Sequence, residues 1–278
     1  MEWFIAALLV PIIQATANLL QKIGLKERST SVFTFLFTVL SFFMLLPFLP
    51  FVEFDWRVIV IFLNSILGSI GFYYSMKGIK ELDLSEAGPI IANLSVVFTG
   101  VIETLIGQRF ELIDLIGIGM ILVGGYLLET NFRRTRFRVT KGFKYLVINA
   151  IIYGICVNID RRIMLTGMSP FSFIFFITMF VSINLGILVL VKGKVSEVKT
   201  VWKRSSKLVL GIGALVVAYR VLQLYAVSLA PATFVIALKR LSAPISVILG
   251  GKILSEKYLR YRFLASIIML FGALILIT

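Results

Sequence analysis

The chain is a succession of long apolar runs separated by short polar segments. A helix that crosses a bilayer needs about 20 predominantly apolar residues, and ten runs come close to that length. They cover residues 3–21, 31–51, 57–76, 87–106, 112–129, 143–164, 170–191, 208–229, 231–253 and 261–278. The pattern predicts an all-α membrane protein with ten transmembrane helices. The charged segment 192–207 is too polar to span and is expected to include a short amphipathic helix at the interface.

The second half of the chain repeats the first. Residues 77–128 align without a gap with residues 225–276, a shift of 148 positions that pairs Gly124 with Gly272. Each half holds five predicted helices, an odd number, so the second half is expected to lie inverted relative to the first. Inverted repeats of this kind place a solute site at mid-membrane, between the halves.

The repeat also predicts how the chain is divided. We predict a first five-helix repeat over residues 1–130, a basic linker over residues 131–142 and a second five-helix repeat over residues 143–278. No region has the composition of a separate soluble domain, because 59% of the 278 residues are hydrophobic.

Basic residues outnumber acidic ones and give a net charge of +14. A nucleic-acid-binding protein would cluster such residues on a soluble face. Here they lie between the apolar runs, so we expect a lipid bilayer and no nucleic acid as partner. Of the 28 lysines and arginines, 21 fall on one side of the predicted membrane, four on the other and three inside. The richer side is expected to be cytoplasmic, which places both termini outside.

No pattern of catalytic or metal-binding residues stands out. Histidine is absent and the single cysteine, Cys156, lies in an apolar run, so no cluster has the spacing of metal ligands. Gly117, Gly119 and Gly124 lie inside a predicted membrane helix and not at a strand-to-helix turn, so they do not form a dinucleotide loop. We predict no enzymatic activity, no metal and no cofactor.

Three cations lie near the centre of predicted membrane helices. Lys239 and Arg240 occupy the middle of the ninth run, and Arg220 is near the midpoint of the eighth. At a rise of about 1.5 Å per residue, Arg220 and Lys239 both lie about 14 Å from the turn near Ala230. A cation at mid-depth costs at least about 2.5 kcal/mol on insertion scales, so these residues are expected to face protein or a water-filled cavity.

Lys239 is the strongest candidate for contact with a solute. On a helix it shares a stripe with the small residues Ala232, Ala243, Ser246 and Gly250, which either admit a second helix or leave room for a cavity. The alternatives are that Lys239 or Arg240 pairs with an acid, or that its side chain snorkels to the interface, which is a long reach from a helix midpoint.

Other polar groups are predicted at the same depth in the membrane as Lys239. Pro244 has no amide hydrogen, so the carbonyl of Arg240 loses its helical partner. Arg220 and Gln223 are three residues apart and share a helix face. The planar guanidinium of Arg220 suits a phosphate or a carboxylate, and it equally suits a hydrogen bond to the broken backbone near Pro244.

Amides and one acid complete the candidate set. Gln14 and Asn18 share a face of the first helix, and a shift of 140 pairs Asn18 with Asn158 in the sixth. Each amide could contact a solute or join two helices. Glu103 is expected to be the only acid well inside a span, where it would either couple transport to protons or stay ionised beside a nearby arginine.

The closing part of the sequence resembles a known family. The segment LAPATFVIALKRLSAPISVILGGKILSEKYL (229–259), the closing run FLASIIMLFGALILI (263–277) and the five-plus-five repeat resemble EamA-type members of the drug/metabolite transporter superfamily. That pattern has a proline near Pro244 and a Gly-Glu pair before the last helix, where this chain has Ser255-Glu256. The Lys239-Arg240 pair is similar to the phosphate-binding pair of plastid sugar-phosphate translocators.

The resemblance implies a ten-helix secondary carrier of metabolites in a prokaryotic cytoplasmic membrane. Together with the three central cations, it leads to the hypothesis of a transporter for a small, anionic solute that works by alternating access. One alternative is an exporter of amino acids or of hydrophobic and cationic compounds. The other is a membrane assembly protein that transports nothing, for which we would expect a packed centre with internally paired cations.

Overall fold

The protein is all-helical over the residues that the structure describes. The computed structural model describes residues 2–105, 112–130, 140–229, 235 and 238–275, and these contain no β-strand. A short 3-10 helix, Leu46–Phe51, follows α2. The ten α-helices of these residues are α1 Glu2–Leu25, α2 Thr30–Leu45, α3 Arg57–Glu81, α4 Leu84–Leu105, α5 Leu112–Thr130, α6 Lys141–Leu165, α7 Pro170–Val191, α8 Val195–Leu229, α9 Ser242–Leu254 and α10 Leu259–Ile275.

Seven segments of the described chain are long and apolar enough to cross a membrane, namely α1, α2 together with the 3-10 helix that follows it, α3, α4, α6, α7 and α8. The apolar parts of α5 and α9, Leu112–Leu128 and Ser242–Leu254, are shorter. Helix α10 has 17 residues and carries Arg260 and Arg262 in its first turn. The predicted architecture of ten membrane helices is confirmed, although α5, α9 and α10 have shorter apolar stretches than the other helices.

Local chemistry sets several helix ends. The hydroxyl of Thr140 accepts a hydrogen bond from the amide of Phe143 at 3.2 Å and caps the start of α6. Pro170 occupies the first position of α7, where its missing amide hydrogen costs nothing. Gly193 has a φ of +64°, which ends α7 with a left-handed residue, as glycine allows.

Two close contacts between α5 and α10 show the internal repeat directly. A Cβ atom added to Gly124 would lie 2.9 Å from the carbonyl oxygen of Ala265, and one added to Gly272 would lie 2.6 Å from that of Gly117. A shift of 148 positions converts Gly124 into Gly272 and Gly117 into Ala265, so the two contacts are equivalent. The register found in the sequence is therefore present in the packing.

Whole helices repeat in the same way. Helix α1 packs along α8, and α3 packs along α6, while α2, α4 and α5 each pack against their own counterparts α7, α9 and α10. In the repeat, the first helix corresponds to the sixth and the third to the eighth. The pair α1–α8 is therefore equivalent to the pair α6–α3. Gly154 brings α6 close to α4, because a Cβ there would lie 2.9 Å from backbone atoms of Phe98 and Thr99.

The structure differs from the predicted helix boundaries at three places. The segment expected to hold a separate interfacial helix is continuous with the eighth span, so that α8 has 35 residues. The ninth span is interrupted by a turn at Arg240 and Leu241. The last two residues of the predicted linker, Lys141 and Gly142, belong to α6, and residues 131–139 lie outside the described part of the chain.

Candidate functional site

The backbone breaks between Lys239 and the start of α9. The amide of Leu241 donates to the carbonyl of Leu238 and the amide of Ala243 donates to the carbonyl of Arg240, both at 3.0 Å. These are bonds to the third preceding residue, which tighten the turn. Because Pro244 offers no amide hydrogen, the carbonyl of Arg240 takes the hydrogen bond of Ala243 in its place. The break therefore leaves Lys239 and Arg240 beside an interruption in the ninth span.

Lys239 is joined to α8 through polar and aromatic contacts. Its Nζ donates a hydrogen bond to Oε1 of Gln223 at 3.0 Å. The same ammonium lies 5.8 Å from the centre of the Tyr219 ring, and the guanidinium of Arg220 lies 5.8 Å from that centre too. The cations of α8 and of the broken ninth span thus share one aromatic ring, at a distance where cation–π attraction operates.

Helix α6 contributes two more groups to the same region. Tyr153 interacts electrostatically with Arg220, Arg240 and Asp160, and Asp160 interacts with Arg220. These residues converge from α6, α8 and the segment before α9. Tyr153 is nonetheless 47% exposed, and Arg220 is exposed as well. Tyr153 and Arg220 thus remain accessible, and we call the region between these side chains the cleft.

Positive charge in the cleft is only partly balanced. Among the described residues, no carboxylate lies within the 4.0 Å of an ion pair to Lys239, Arg240 or Arg220. The Nε of Arg240 is buried and has no hydrogen-bond partner. A buried donor without a partner destabilises the protein, because it loses its hydrogen bonds to water and no protein group replaces them. The cleft therefore offers unused donors and positive potential.

Asp160 corrects one prediction. Glu103 was expected to be the only acid well inside a span, but Asp160 lies within α6 and brings a carboxylate to the cleft. Its Oδ1 accepts a hydrogen bond from Nδ2 of Asn64 in α3 at 2.6 Å. Asn64 also donates to the carbonyl of Cys156 at 3.3 Å, which fixes the amide against α6. The side chain of Glu103 lies outside the described part of the structure, so its role stays a prediction.

The three amides proposed from the sequence lie in different surroundings. Asn158 is buried and donates to the carbonyls of Gly154 at 3.0 Å and Thr99 at 3.3 Å, so it joins α6 to α4. Gln14 and Asn18 are half-buried on α1, the helix that packs against both α8 and α9. The Oε1 of Gln14 is buried without a hydrogen-bond partner. Of the predicted set, the structure brings together Lys239, Arg240, Arg220 and Gln223.

A second group of charges lies at the other end of the bundle, at the turn between α3 and α4. Arg262 of α10 is 4% exposed. Its guanidinium donates to Oδ2 of Asp83 at 2.8 Å and to Oγ of Ser85 at 2.6 Å, and it lies 3.4 Å from Oε2 of Glu86 and 3.9 Å from Oε2 of Glu256. We call these five residues the ionic cluster.

Helix ends are fastened to the ionic cluster. The carboxylate of Glu256 accepts hydrogen bonds from the amides of Leu84 at 2.7 Å and Ser85 at 2.8 Å, the free donors at the start of α4. Lys22 of α1 donates to the carbonyls of Lys80 at 2.9 Å and Leu82 at 2.6 Å, at the end of α3. Each charge has the sign that the neighbouring helix end favours. The cluster and the neighbouring Lys22 therefore tie α1, α3, α4 and α10 together.

The cleft and the ionic cluster are well separated along the bundle. Gly142, at the start of α6, packs against Leu82 beside the cluster. Tyr153 and Asp160 follow Gly142 by 11 and 18 residues, which places them about 16 and 27 Å further along α6. The buried ion pairs thus lie at one end of the bundle, and the cations of the cleft lie in the middle and towards the other end.

Sequence reasoning missed Asp160, Tyr153, Tyr219 and the ionic cluster. A signal for Asp160 was present, because it lies four residues before the end of the sixth run and seven after Tyr153, on the same helix face. Glu256 was singled out only as part of the pair before the last helix. Nothing in the spacing of Asp83 and Arg262, 179 residues apart, indicates that they meet.

An all-helical membrane bundle of two inverted repeats, with polar groups where the repeats meet, is an architecture of membrane transporters. The EamA-like transporter family matches the chain over residues 1–130 and 140–278. The chain therefore belongs to this family of the drug/metabolite transporter superfamily and is a multi-pass integral membrane protein that handles small solutes.

A solved structure has the same fold. A protein of known crystal structure superposes on this chain with a TM-score of 0.59, covering 97% of this chain and 95% of the other at 17% sequence identity. At that identity the likeness concerns the fold alone. No match was found among curated proteins.

Proposed function

We propose that this protein moves a small, anionic solute across the membrane by alternating access, with the cleft as its binding site. The observation that carries the proposal is the convergence of Lys239, Arg240 and Arg220 on one accessible space, without a carboxylate at ion-pair distance among the described residues. Cations inside membrane spans are normally paired. Cations left available at mid-membrane have a partner in a solute that carries negative charge.

The roles of the residues follow from their chemistry. Lys239 and Arg240 hold the negative group, and Arg220 orients it with the bidentate geometry of a guanidinium. Gln223 positions Lys239 through the 3.0 Å hydrogen bond between them. Gln14, Asn18 and Asn158 remain proposals for contacts to the rest of the solute, with Asn158 the most fully engaged in joining helices.

Alternating access requires that the two ends of the bundle open in turn. We assign the ionic cluster as the closed gate of the present conformation. In this conformation the cleft would open towards the opposite side of the membrane. The distribution of lysine and arginine makes the cluster end cytoplasmic and both termini extracytoplasmic. Fixed cations in the cleft favour exchange of anions or facilitated movement over proton coupling, for which Glu103 was the sequence candidate.

A second candidate function is favoured by Asp160. A cleft with a carboxylate as well as cations also suits a zwitterion, whose ammonium would approach Asp160 while its carboxylate meets Lys239 and Arg240. That solute class includes amino acids. A role in assembly without transport is less well supported, because it predicts a packed centre with the central cations paired.

Reconstituted vesicles test the proposal. The purified protein in vesicles preloaded with a sugar phosphate, a dicarboxylate or an amino acid should take up the labelled form of its own solute by counterflow. Uptake of an anion that vanishes in Lys239→Gln and persists in Lys257→Gln, an exposed residue of the α9–α10 turn, supports the anionic assignment. Uptake of amino acids alone selects the second candidate, and uptake unchanged by Lys239→Gln contradicts both.

A further inference from the structure

An apolar groove opens on the surface where α2, α7 and the start of α8 meet. Its volume is about 620 Å³, within the range of sites that take a drug-sized ligand. Phe35 of α2 and Gly186 and Leu190 of α7 are among the residues that line it. A Cβ added to Gly186 would lie 3.1 Å from the ring of Phe35, so the absence of a side chain keeps the floor of the groove open.

The start of α8 places the groove at the edge of the membrane. The hydroxyl of Ser41 donates a hydrogen bond to the carbonyl of Gly213 at 3.4 Å. Since α2 and α8 are both even-numbered spans of the predicted ten, they run in the same direction across the membrane. Trp202 lies eleven residues before Gly213 on α8, and Thr30, the first residue of α2, lies eleven residues before Ser41. Because Ser41 and Gly213 are in contact, Trp202 and Thr30 lie at the same level of the membrane. Tryptophan is enriched at that level, where its ring meets the lipid headgroups.

Lys199 stands at the rim of the groove, one turn of α8 before Trp202. It is exposed, and no carboxylate lies within ion-pair distance of it among the described residues. The nearby acid Glu197 is occupied by Lys194, whose Nζ lies 3.1 Å from its Oε1. The groove therefore combines apolar walls with an uncompensated cation, close to the interfacial Trp202.

We propose that this groove binds an anionic phospholipid. An acyl chain lies between Phe35 and Leu190 over Gly186, Trp202 marks the level of the glycerol, and the phosphate meets Lys199. A zwitterionic lipid of the same chain length fills the apolar part equally well, so the selectivity comes from charge. A lysine near an anionic headgroup is worth about fivefold in binding, the equivalent of about 1 kcal/mol. The proposal is independent of the solute that the cleft carries.

Native mass spectrometry of the full-length protein in detergent tests this site. The protein is titrated with phosphatidylglycerol, with phosphatidylcholine of the same acyl chains, and with glycerol phosphate as a headgroup without chains. We expect phosphatidylglycerol to bind more tightly than phosphatidylcholine, and glycerol phosphate to bind to neither the wild type nor the variants.

Three variants separate the contributions. Lys199→Gln should weaken phosphatidylglycerol about fivefold and leave phosphatidylcholine unchanged. Lys257→Gln, an exposed lysine on another turn of the same membrane face, should change neither. Gly186→Leu should weaken both lipids, with its unfolding temperature measured alongside. Equal binding of the two lipids, equal effects of Lys199→Gln and Lys257→Gln, or a dimer that excludes lipid would each overturn the proposal.

Discussion

Arg262 and Asp83, 179 residues apart in the chain, form an ion pair with 2.8 Å between Nη1 and Oδ2. Arg262 also balances the buried carboxylates of Glu86 and Glu256, whose side chains are 8% and 5% exposed. The pair thus joins α10 to the α3–α4 turn at the end of the bundle that we assign as a closed gate. Breaking it should have consequences for stability and for conformation.

Arg262→Gln should lower the free energy of unfolding by about 3–5 kcal/mol, because it leaves buried carboxylates without their partner. Thermal and denaturant unfolding of the purified protein in detergent measure the change. Arg260→Gln, an exposed residue of the same helix turn, should stay within about 0.5 kcal/mol of the wild type. Equal stability of the two variants would contradict the buried network.

Two adjacent glycines of α5 should respond in opposite ways to alanine. Gly124 lies against Met269 and the carbonyl of Ala265, whereas no atom lies within 4 Å of a Cβ added to Gly125. Gly124→Ala should therefore destabilise the protein by about 1–3 kcal/mol through overpacking. Gly125→Ala should be neutral or stabilising by up to about 1 kcal/mol, because alanine favours a helix. Denaturant unfolding of both variants checks the contrast, which would fail if Gly125→Ala were the more harmful.

The fold could be predicted from the sequence because each part of it rests on a periodic signal. Apolar runs long enough to span a bilayer give the helices, and the ungapped shift of 148 gives the repeat. That shift pairs Gly124 with Gly272, and their contacts with Ala265 and Gly117 are equivalent in the structure. Such pairings carry over to the structure because small residues are needed wherever two helices approach closely.

The site could be predicted only in part. Lys239, Arg240 and Arg220 stand out because charge is expensive in an apolar run. Asp160 does not, since it lies in the last two turns of its span, where an acid is less costly than at the centre. The start of α8 was misjudged for a related reason, because charged residues can extend a helix beyond the membrane as easily as they can end it. The ionic cluster depends on contacts between distant helices, which composition and spacing do not encode.

Asp160→Asn should distinguish the two candidate solutes. Removal of the carboxylate leaves Arg220 without its neighbouring negative charge, so an anion should bind severalfold more tightly. A zwitterion should instead bind more weakly, because its ammonium loses its partner. Isothermal titration of a sugar phosphate and of an amino acid measures both, with Asp114→Asn in α5 as the matched control. No change with either solute would remove Asp160 from the cleft.

The most direct test of the central claim is a thermal-shift measurement on the double variant Lys239→Gln, Arg240→Gln. A ligand at about 100 times its Kd adds about 2.7 kcal/mol to the stability of the folded state. The account predicts that at least one phosphorylated or carboxylated solute stabilises the wild type in a concentration-dependent way, and that the double variant, folded and membrane-inserted, shows no such shift. The same shift in the double variant as in the wild type would contradict it.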